Sequence, residues 1–192
     1  MTKPSPISPT IPLDQDGIHH GFLKLPYSRD DSAWGAVMIP ITVVRNGNGP
    51  TALLTGGNHG DEYEGLVSLF KLAESLSAGE INGRVIILPA MNYPAFRSAS
   101  RTSPIDAGNM NRSFPGKPDG TVTQKIADYV YRYLVPEADI VLDPEKPVDR
   151  RRAHVCVDQD YALARTRKYG RESECRGALA FRRPRAGDHE RF

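Results

Sequence analysis

His59 and Glu62 are the residues whose types and spacing point most directly to chemistry. They stand three positions apart, shortly after Gly56-Gly57 and at the start of a predicted helix. Residues three apart share a helix face, so an imidazole nitrogen and a carboxylate can converge on one ion. Zinc accepts this mixed donor set, and a catalytic zinc takes three protein ligands and a water. A surface His and a Glu that favours the helix dipole would give the same spacing, so the pair alone leaves both interpretations open.

The elements around this pair alternate between strands and helices. Short apolar runs predict buried strands, and helical spacing of apolar residues predicts amphipathic helices. The predicted order is strand, helix, strand, loop, helix, strand, which indicates an α/β fold with a partly parallel sheet. The predicted strands are 36–44, 51–55, 84–91 and 139–143, the predicted helices are 62–76 and 121–134, and residues 92–120 are predicted as loop.

Three local features refine this prediction. Pro40 makes the first predicted strand an edge strand or a bulged one, because proline cannot donate to a ladder. Thr121 or Thr123 is expected to cap the second helix. Ligand sites in such sheets lie at the carboxyl ends of strands, so His59, Glu62 and Asp143 are expected along one edge.

Composition divides the chain into three parts. Residues 1–13 hold four prolines and are predicted to form an extended, poorly ordered arm, and residues 14–143 are predicted to form the folded domain. Residues 144–192 contain 13 Lys and Arg against 8 Asp and Glu, a net charge of +5, whereas residues 1–143 contain 12 against 15, a net charge of −3. No period is visible after residue 143, so the last part is expected to be an irregular basic tail.

Several motifs in register resemble those of the succinylglutamate desuccinylase/aspartoacylase family. GGNHGDEYEG at 56–65 resembles the zinc-binding signature of that family, and NMNRSFPG at 109–116 resembles its Asn-Arg substrate motif. The resemblance covers about residues 14–143. It implies a zinc-carboxypeptidase-like mixed sheet flanked by helices, of which this chain carries the N-terminal part. It also implies a zinc-dependent hydrolase that removes an acyl group from an N-acyl amino acid.

The resemblance also implies roles for individual residues. His59 and Glu62 would bind one zinc ion per chain, and Arg101 would polarise the scissile carbonyl, with Arg97 as a rival for that role. Asn111 and Arg112 would hold the substrate carboxylate. In particular, LPYSRDDSAWGAVMIPITVV at 25–44 and RTSPIDAGNMNRSFPG at 101–116 resemble the ectoine-degrading members of the family, which implies N2-acetyl-L-2,4-diaminobutanoate as substrate.

The family pattern breaks after Asp143. The third zinc ligand of the family is a His two residues after an Asp at a strand end, and Glu145 occupies that position here. The catalytic Glu of the family has no match in 144–192. One hypothesis is that this tail is out of frame and the chain is truncated and impaired. The other is that the tail is genuine and supplies Glu145 or His154 as the third ligand.

Partners and location follow from what the sequence lacks. The N-terminus has no apolar signal segment and no apolar run is long enough to span a membrane, so a cytoplasmic protein without a membrane partner is expected. Acidic residues dilute the basic clusters of the tail, which argues against nucleic acid. Cys156 and Cys175 form neither a zinc knuckle nor a disulfide framework. A homo-oligomer, or a non-catalytic fragment that binds carboxylates or assembles with an enzyme, remains open.

Overall fold

The computed structural model describes residues 3–30 and 33–143, which contain a six-stranded mixed sheet with helices on both faces. The predictions for residues 144–192, including Glu145 and His154, lie outside the described residues. The strands are β1 Ser8–Pro9, β2 Gly17–Pro26, β3 Ala36–Asn46, β4 Thr51–Thr55, β5 Gly83–Leu88 and β6 Ile140–Leu142. The helices are α1 Tyr63–Ser75, α2 Tyr93–Arg97 and α3 Val122–Tyr129, with 3-10 turns at Ala78–Glu80, Met110–Arg112 and Val135–Glu137 and a π-helical turn at Val130–Leu134.

The sheet has an antiparallel half and a parallel half. Its order is β1-β2-β3-β5-β4-β6, with antiparallel pairing from β1 through β5 and parallel pairing of β4 with both β5 and β6. The carboxyl ends of the three parallel strands therefore lie at one edge of the sheet. The α/β fold class and the partly parallel sheet expected from the sequence are confirmed.

The side chains of β5 alternate between two apolar clusters, one on each face of the sheet. Ile86 and Leu88 belong to the larger cluster, which includes Ile126 of α3, and the neighbouring β5 residues belong to the cluster that includes Leu69 of α1. Successive strand residues point to opposite faces, and a strand covered on both faces needs apolar residues at every position. This explains the unbroken apolar run in the sequence. None of the helices in the described part has both the length and the apolar character needed to cross a membrane.

The start of α3 confirms one of the two predicted caps. The Thr121 side chain accepts a hydrogen bond from the Gln124 backbone N–H, and the Gln124 side chain in turn accepts from the backbone N–H of Thr121. This reciprocal capping satisfies two N–H groups that the helix itself leaves without partners. Thr123 lies inside the helix and its side chain bonds Asp106 instead.

The prediction that Pro40 marks an edge or bulged strand is wrong at the level of the sheet. β3 lies between β2 and β5 and is an interior strand. However, β5 pairs with β3 only along Thr42–Asn46, so among the described strands Pro40 pairs with β2 alone. The missing N–H is tolerated because this part of β3 extends beyond the β5 ladder.

Two stretches are more ordered than the sequence suggested. Residues 92–120 are not all loop, because α2 and the turn Met110–Arg112 lie within them. The described part of the N-terminal arm is extended but not poorly ordered, since β1 pairs with β2 and Ile7 is 5% exposed in the larger apolar cluster. A five-residue helix and a two-residue strand are too short to produce a readable period.

Arg84 joins four separate segments at the opposite edge from the candidate site, and its side chain is only 12% exposed. Its guanidinium donates to the Leu13 carbonyl at 3.0 Å, to Thr51 Oγ1 at 3.2 Å and to Glu137 Oε2 at 3.1 Å. Replacing Arg84 by Met keeps most of the apolar stem and leaves these acceptors unpaired. We expect a loss of about 2–3 kcal/mol in the free energy of unfolding, measured by urea titration.

Arg97→Met is the matched control for that measurement. Arg97 is exposed, and its contact among the described residues is with the Tyr93 ring face, with 6.0 Å between its Cζ atom and the ring centroid. Its replacement should cost less than about 1 kcal/mol. Equal losses in the two variants would contradict a tethering role for Arg84.

Candidate metal and substrate site

His59 and Glu62 come together in the short segment between β4 and α1. The distance between His59 Nδ1 and Glu62 Oε1 is 3.1 Å. Gly57, which precedes them, has a backbone φ of +68°, a conformation that L side chains rarely adopt. The turn therefore brings the imidazole back over the carboxyl ends of the strands. The edge predicted from the sequence is where the structure places both groups.

Neither side chain behaves as an ordinary surface group. His59 is 3% exposed, so a solvated surface histidine is ruled out. Glu62 occupies the N-cap position of α1 but makes no side-chain capping bond. Its carboxylate points to His59 instead of to the free N–H groups of the helix. The capping of α1 therefore does not account for the position of this carboxylate.

Arg101 completes this group of charged side chains. Its Nη1 atom donates to Glu62 Oε1 at 3.1 Å, so one carboxylate oxygen contacts both the imidazole and the guanidinium. Arg97, the rival named from the sequence, lies on α2 and contacts the Tyr93 ring. The geometry thus separates the two arginines, since Arg101 contacts Glu62 whereas Arg97 contacts the Tyr93 ring.

Asn109 is a site residue to which sequence reasoning assigned no role. Its Oδ1 atom lies 3.3 Å from His59 Nε2, and an amide oxygen can only accept, so Nε2 carries the proton in this contact. Such a partner fixes the ring orientation, and in this tautomer Nδ1 presents its lone pair on the side of Glu62, where a metal ion could accept it. The turn Met110–Arg112 follows Asn109 directly and carries Asn111, which is partly exposed, and Arg112, which is exposed.

The loop that carries these residues is anchored to α3 through Asp106. Its carboxylate accepts from the Thr123 backbone N–H at 2.7 Å and from Thr123 Oγ1 at 2.8 Å. Burial opposes ionisation, but these bonds, with those from Thr121 and Ser103, outweigh it and hold the pKa of Asp106 below its ordinary value. The ionised carboxylate is therefore the form that the fold stabilises.

The described residues bring together two side chains of the kinds that bind zinc, and not three. Across 3–30 and 33–143, no group of three or more His, Cys, Asp or Glu side chains is arranged to hold a metal ion. His59 and Glu62 fit zinc in donor type and in convergence. Asp143, at the end of β6, accepts a hydrogen bond from Asn58 Nδ2 at 2.6 Å. A third ligand would have to come from outside the described residues.

Comparison with known families identifies this arrangement. The family model described as Succinylglutamate desuccinylase/Aspartoacylase catalytic domain matches residues 48–143, half of the chain. The chain belongs to this family. The matched range contains His59, Glu62, Arg101 and the Asn109–Arg112 turn, so the residues that converge in the structure all lie within the domain that defines the family.

Relatives of this family cover the same part of the chain. The N-alpha-acetyl-L-2,4-diaminobutyric acid deacetylase of Halomonas elongata is 66% identical over 141 residues, which are 73% of this chain and 41% of that protein. The product-bound structure of the ectoine utilization protein EutE (DoeB) from Ruegeria pomeroyi aligns with a TM-score of 0.73 and 71% identity, over 73% of this chain and 43% of that one. A succinylglutamate desuccinylase/aspartoacylase from Rhodobacter sphaeroides aligns with a TM-score of 0.70 and 51% identity, over 72% and 43%. The chain thus spans about two fifths of the length of these relatives.

The lowered pKa of Asp106 predicts how stability depends on pH. A carboxyl group whose folded pKa is lowered contributes stability above its unfolded pKa, near 3.8, and loses it as pH falls through the folded value. Asp106→Asn should therefore lower the free energy of unfolding by about 1–2 kcal/mol at pH 7. The difference from wild type should shrink below pH 4, as measured by urea titration at several pH values.

Asp61→Asn, at an exposed position in the 56–65 motif, serves as the control. If the Asp106→Asn deficit were the same at pH 7 and pH 3, the carboxylate charge would not be the source of the anchoring.

Proposed function

We propose that this chain carries the metal and substrate groups of a zinc-dependent hydrolase that removes the acetyl group from N2-acetyl-L-2,4-diaminobutanoate, as in ectoine degradation. One observation carries the proposal: His59 Nδ1 and Arg101 Nη1 both lie 3.1 Å from the same oxygen of Glu62. Two zinc donors and a cationic group for a developing oxyanion therefore lie together. The substrate is taken from the relative named for this deacetylation, which is 66% identical.

The residues divide the work of amide hydrolysis as follows. His59 and Glu62 would hold zinc, which when bound lowers the pKa of a water molecule toward ~7 and polarises a carbonyl group. Arg101 would stabilise the negative charge on the acetyl oxygen, as a fixed cation near a reacting carbonyl does. Asn111 and Arg112 would hold the α-carboxylate, for which the planar guanidinium offers two parallel hydrogen bonds.

A second candidate is a non-catalytic fragment that binds carboxylates or assembles with an enzyme of this family. It is favoured by the two-donor site, because within the described residues no third ligand accompanies His59 and Glu62. Without a third ligand we expect hydrolysis to be impaired while Asn111 and Arg112 still hold a carboxylate. Glu145 is the candidate for the third ligand by sequence. The cytoplasm stays our proposed location, and oligomeric state stays open.

Zinc content separates these two functions. We expect purified protein, stripped with EDTA and reconstituted, to retain about one zinc per chain by elemental analysis, and Glu62→Gln to retain almost none. Glu64→Gln is the matched control, because Glu64 lies exposed in the first turn of α1, two residues from Glu62. A wild-type chain without specific zinc would overturn the hydrolase proposal and support the binding fragment.

Zinc-loaded protein allows the two arginines to be tested. With N2-acetyl-L-2,4-diaminobutanoate as substrate and acetate release as the measurement, Arg101→Ala should lower kcat by about 10²–10³-fold, the usual effect of losing an oxyanion donor. Arg97→Ala should change kcat less than about threefold, since Arg97 contacts the Tyr93 ring. The reverse order of effects would assign the oxyanion role to Arg97.

A further inference from the structure

Asn92 lies at the N-cap position of α2, where it does not behave as a cap. An asparagine there normally accepts a hydrogen bond from the first turn through its side-chain oxygen. Asn92 makes no such bond, although it is 0% exposed. Its Oδ1 atom has no hydrogen-bond partner among the described residues. The local needs of α2 therefore do not explain the carboxamide.

The cost of this arrangement is borne by the fold. A buried amide oxygen without a partner loses its hydration and gains no hydrogen bond in return, which destabilises the folded state. An apolar side chain of similar shape would avoid that loss. Sequences depart from such local rules chiefly at sites where function requires a particular group.

The other end of the Asn92 side chain shows where that requirement lies. Its Nδ2 atom donates to the Asn58 carbonyl oxygen at 3.3 Å, and its backbone N–H donates to the Gly57 carbonyl at 2.9 Å. The Asn58 side chain is held in turn by Asp143, with 2.6 Å between Asn58 Nδ2 and Asp143 Oδ2. Asn58 is thus fastened to the segments that follow β5 and β6, and the next residue in the chain is His59.

We propose that Asn92 is a positioning residue which, together with Asp143, clamps Asn58 and so fixes the direction in which His59 and Glu62 point. This inference rests on the proposed function for one point, that the two side chains bind zinc. The clamp itself is inferred from the hydrogen bonds. The clamp joins the loops at the carboxyl ends of three adjacent parallel strands, β4, β5 and β6. It acts on the backbone next to His59 and touches neither the ligand atoms nor the substrate.

A loop of this kind needs such a clamp. Gly56 and Gly57 precede Asn58, and two glycines leave the backbone more conformational freedom than any other pair. Metal donors must be held to within about 0.5 Å of the productive geometry, and loss of an orienting partner typically weakens metal binding by 10–100-fold. Hydrogen bonds on both sides of Asn58 supply that restraint.

The test is Asn92→Leu in the full chain, because Leu has the same number and branching of side-chain heavy atoms and removes both polar atoms. We expect the urea midpoint to change little, since the loss of the buried unpaired oxygen offsets the loss of the donor to the Asn58 carbonyl. Backbone hydrogen exchange in peptides covering residues 57–62 should accelerate at least tenfold. The zinc dissociation constant, measured by chelator competition, should rise by about tenfold. Site order would then fall without a matching loss of stability, which a merely structural role does not produce.

Asn46→Leu is the matched control, because Asn46 Nδ2 also donates to a backbone carbonyl, that of Ile81, but at the other edge of the sheet. It should leave exchange at 57–62 unchanged. The proposal is overturned if Asn92→Leu leaves exchange at 57–62 unchanged, or if exchange rises equally throughout the chain as stability falls. Wild-type protein that binds no zinc would reject the proposed function, and the exchange measurement would still decide the role of Asn92.

A swap of the two residues at positions 58 and 143 tests the same contact in case Asn92→Leu does not fold. Asn58→Asp alone faces the Asp143 carboxylate with a second carboxylate and should loosen residues 57–62. Adding Asp143→Asn reverses donor and acceptor and should restore slow exchange there. If the double variant is no slower than Asn58→Asp alone, the contact between residues 58 and 143 is not part of a clamp.

Discussion

The parallel pairing of β4 with β5 and β6 is the constraint on which the rest of this structure depends. Parallel strands direct their carboxyl ends to one edge, so the segments that leave them must meet there. β4 pairs Thr55 with Leu88 of β5 and Leu54 with Leu142 of β6. The three strands therefore end at the same height in the sheet. His59, the segment that leads to Arg101, and Asp143 therefore meet because of backbone pairing and not because of mutual attraction.

The apolar core and the polar edge place opposite demands on the same strands. Within β5, every residue from Val85 to Leu88 is buried in one of the two apolar clusters. A few positions beyond the end of β5, the buried residues include the amide Asn92. Beyond the end of β4 they include the amide Asn58. Burial of amides is unfavourable unless they are hydrogen-bonded. At this edge of the sheet the buried side chains change from apolar to polar. The buried amides there lower the stability of the fold and surround the candidate site.

The features that the sequence predicted correctly are those with a regular hydrophobic period or a recognisable motif. The run Thr51–Thr55 and the stripe of α1 are regular over enough residues to be read, and the family was recognisable from GGNHGDEYEG. The interior place of β3 was not readable, because Pro40 suggests an edge and only the register shows that β5 stops short of it. The position of β3 in the sheet is therefore set by tertiary contacts and not by local sequence preference.

The contacts that orient the site were beyond the sequence for a different reason. Asn109 and Asn92 act through single hydrogen bonds to residues more than thirty positions away, and a lone asparagine in a Gly- and Pro-rich stretch is ordinarily a turn residue. The one available signal for Asn92 was its position shortly after a predicted buried strand, the same signal that singled out His59. The roles of His59, Glu62, Arg101, Asn111 and Arg112 remain predictions carried by the family resemblance and supported by their placement.

The spacing between the metal pair and Arg101 is set by the backbone. The Gly60 N–H donates to the Ser100 carbonyl at 3.0 Å, and these two residues are the chain neighbours of His59 and Arg101. A Cβ atom at position 60 would lie 2.1 Å from the Ala95 carbonyl carbon, so only glycine allows the two loops this approach. Because one backbone hydrogen bond and one steric requirement hold the two loops together, the fold itself fixes the distance between the His59–Glu62 pair and Arg101. A cation held by the fold in this way needs little reorganisation when a negative charge develops beside it, which is the condition under which a fixed charge stabilises that charge most.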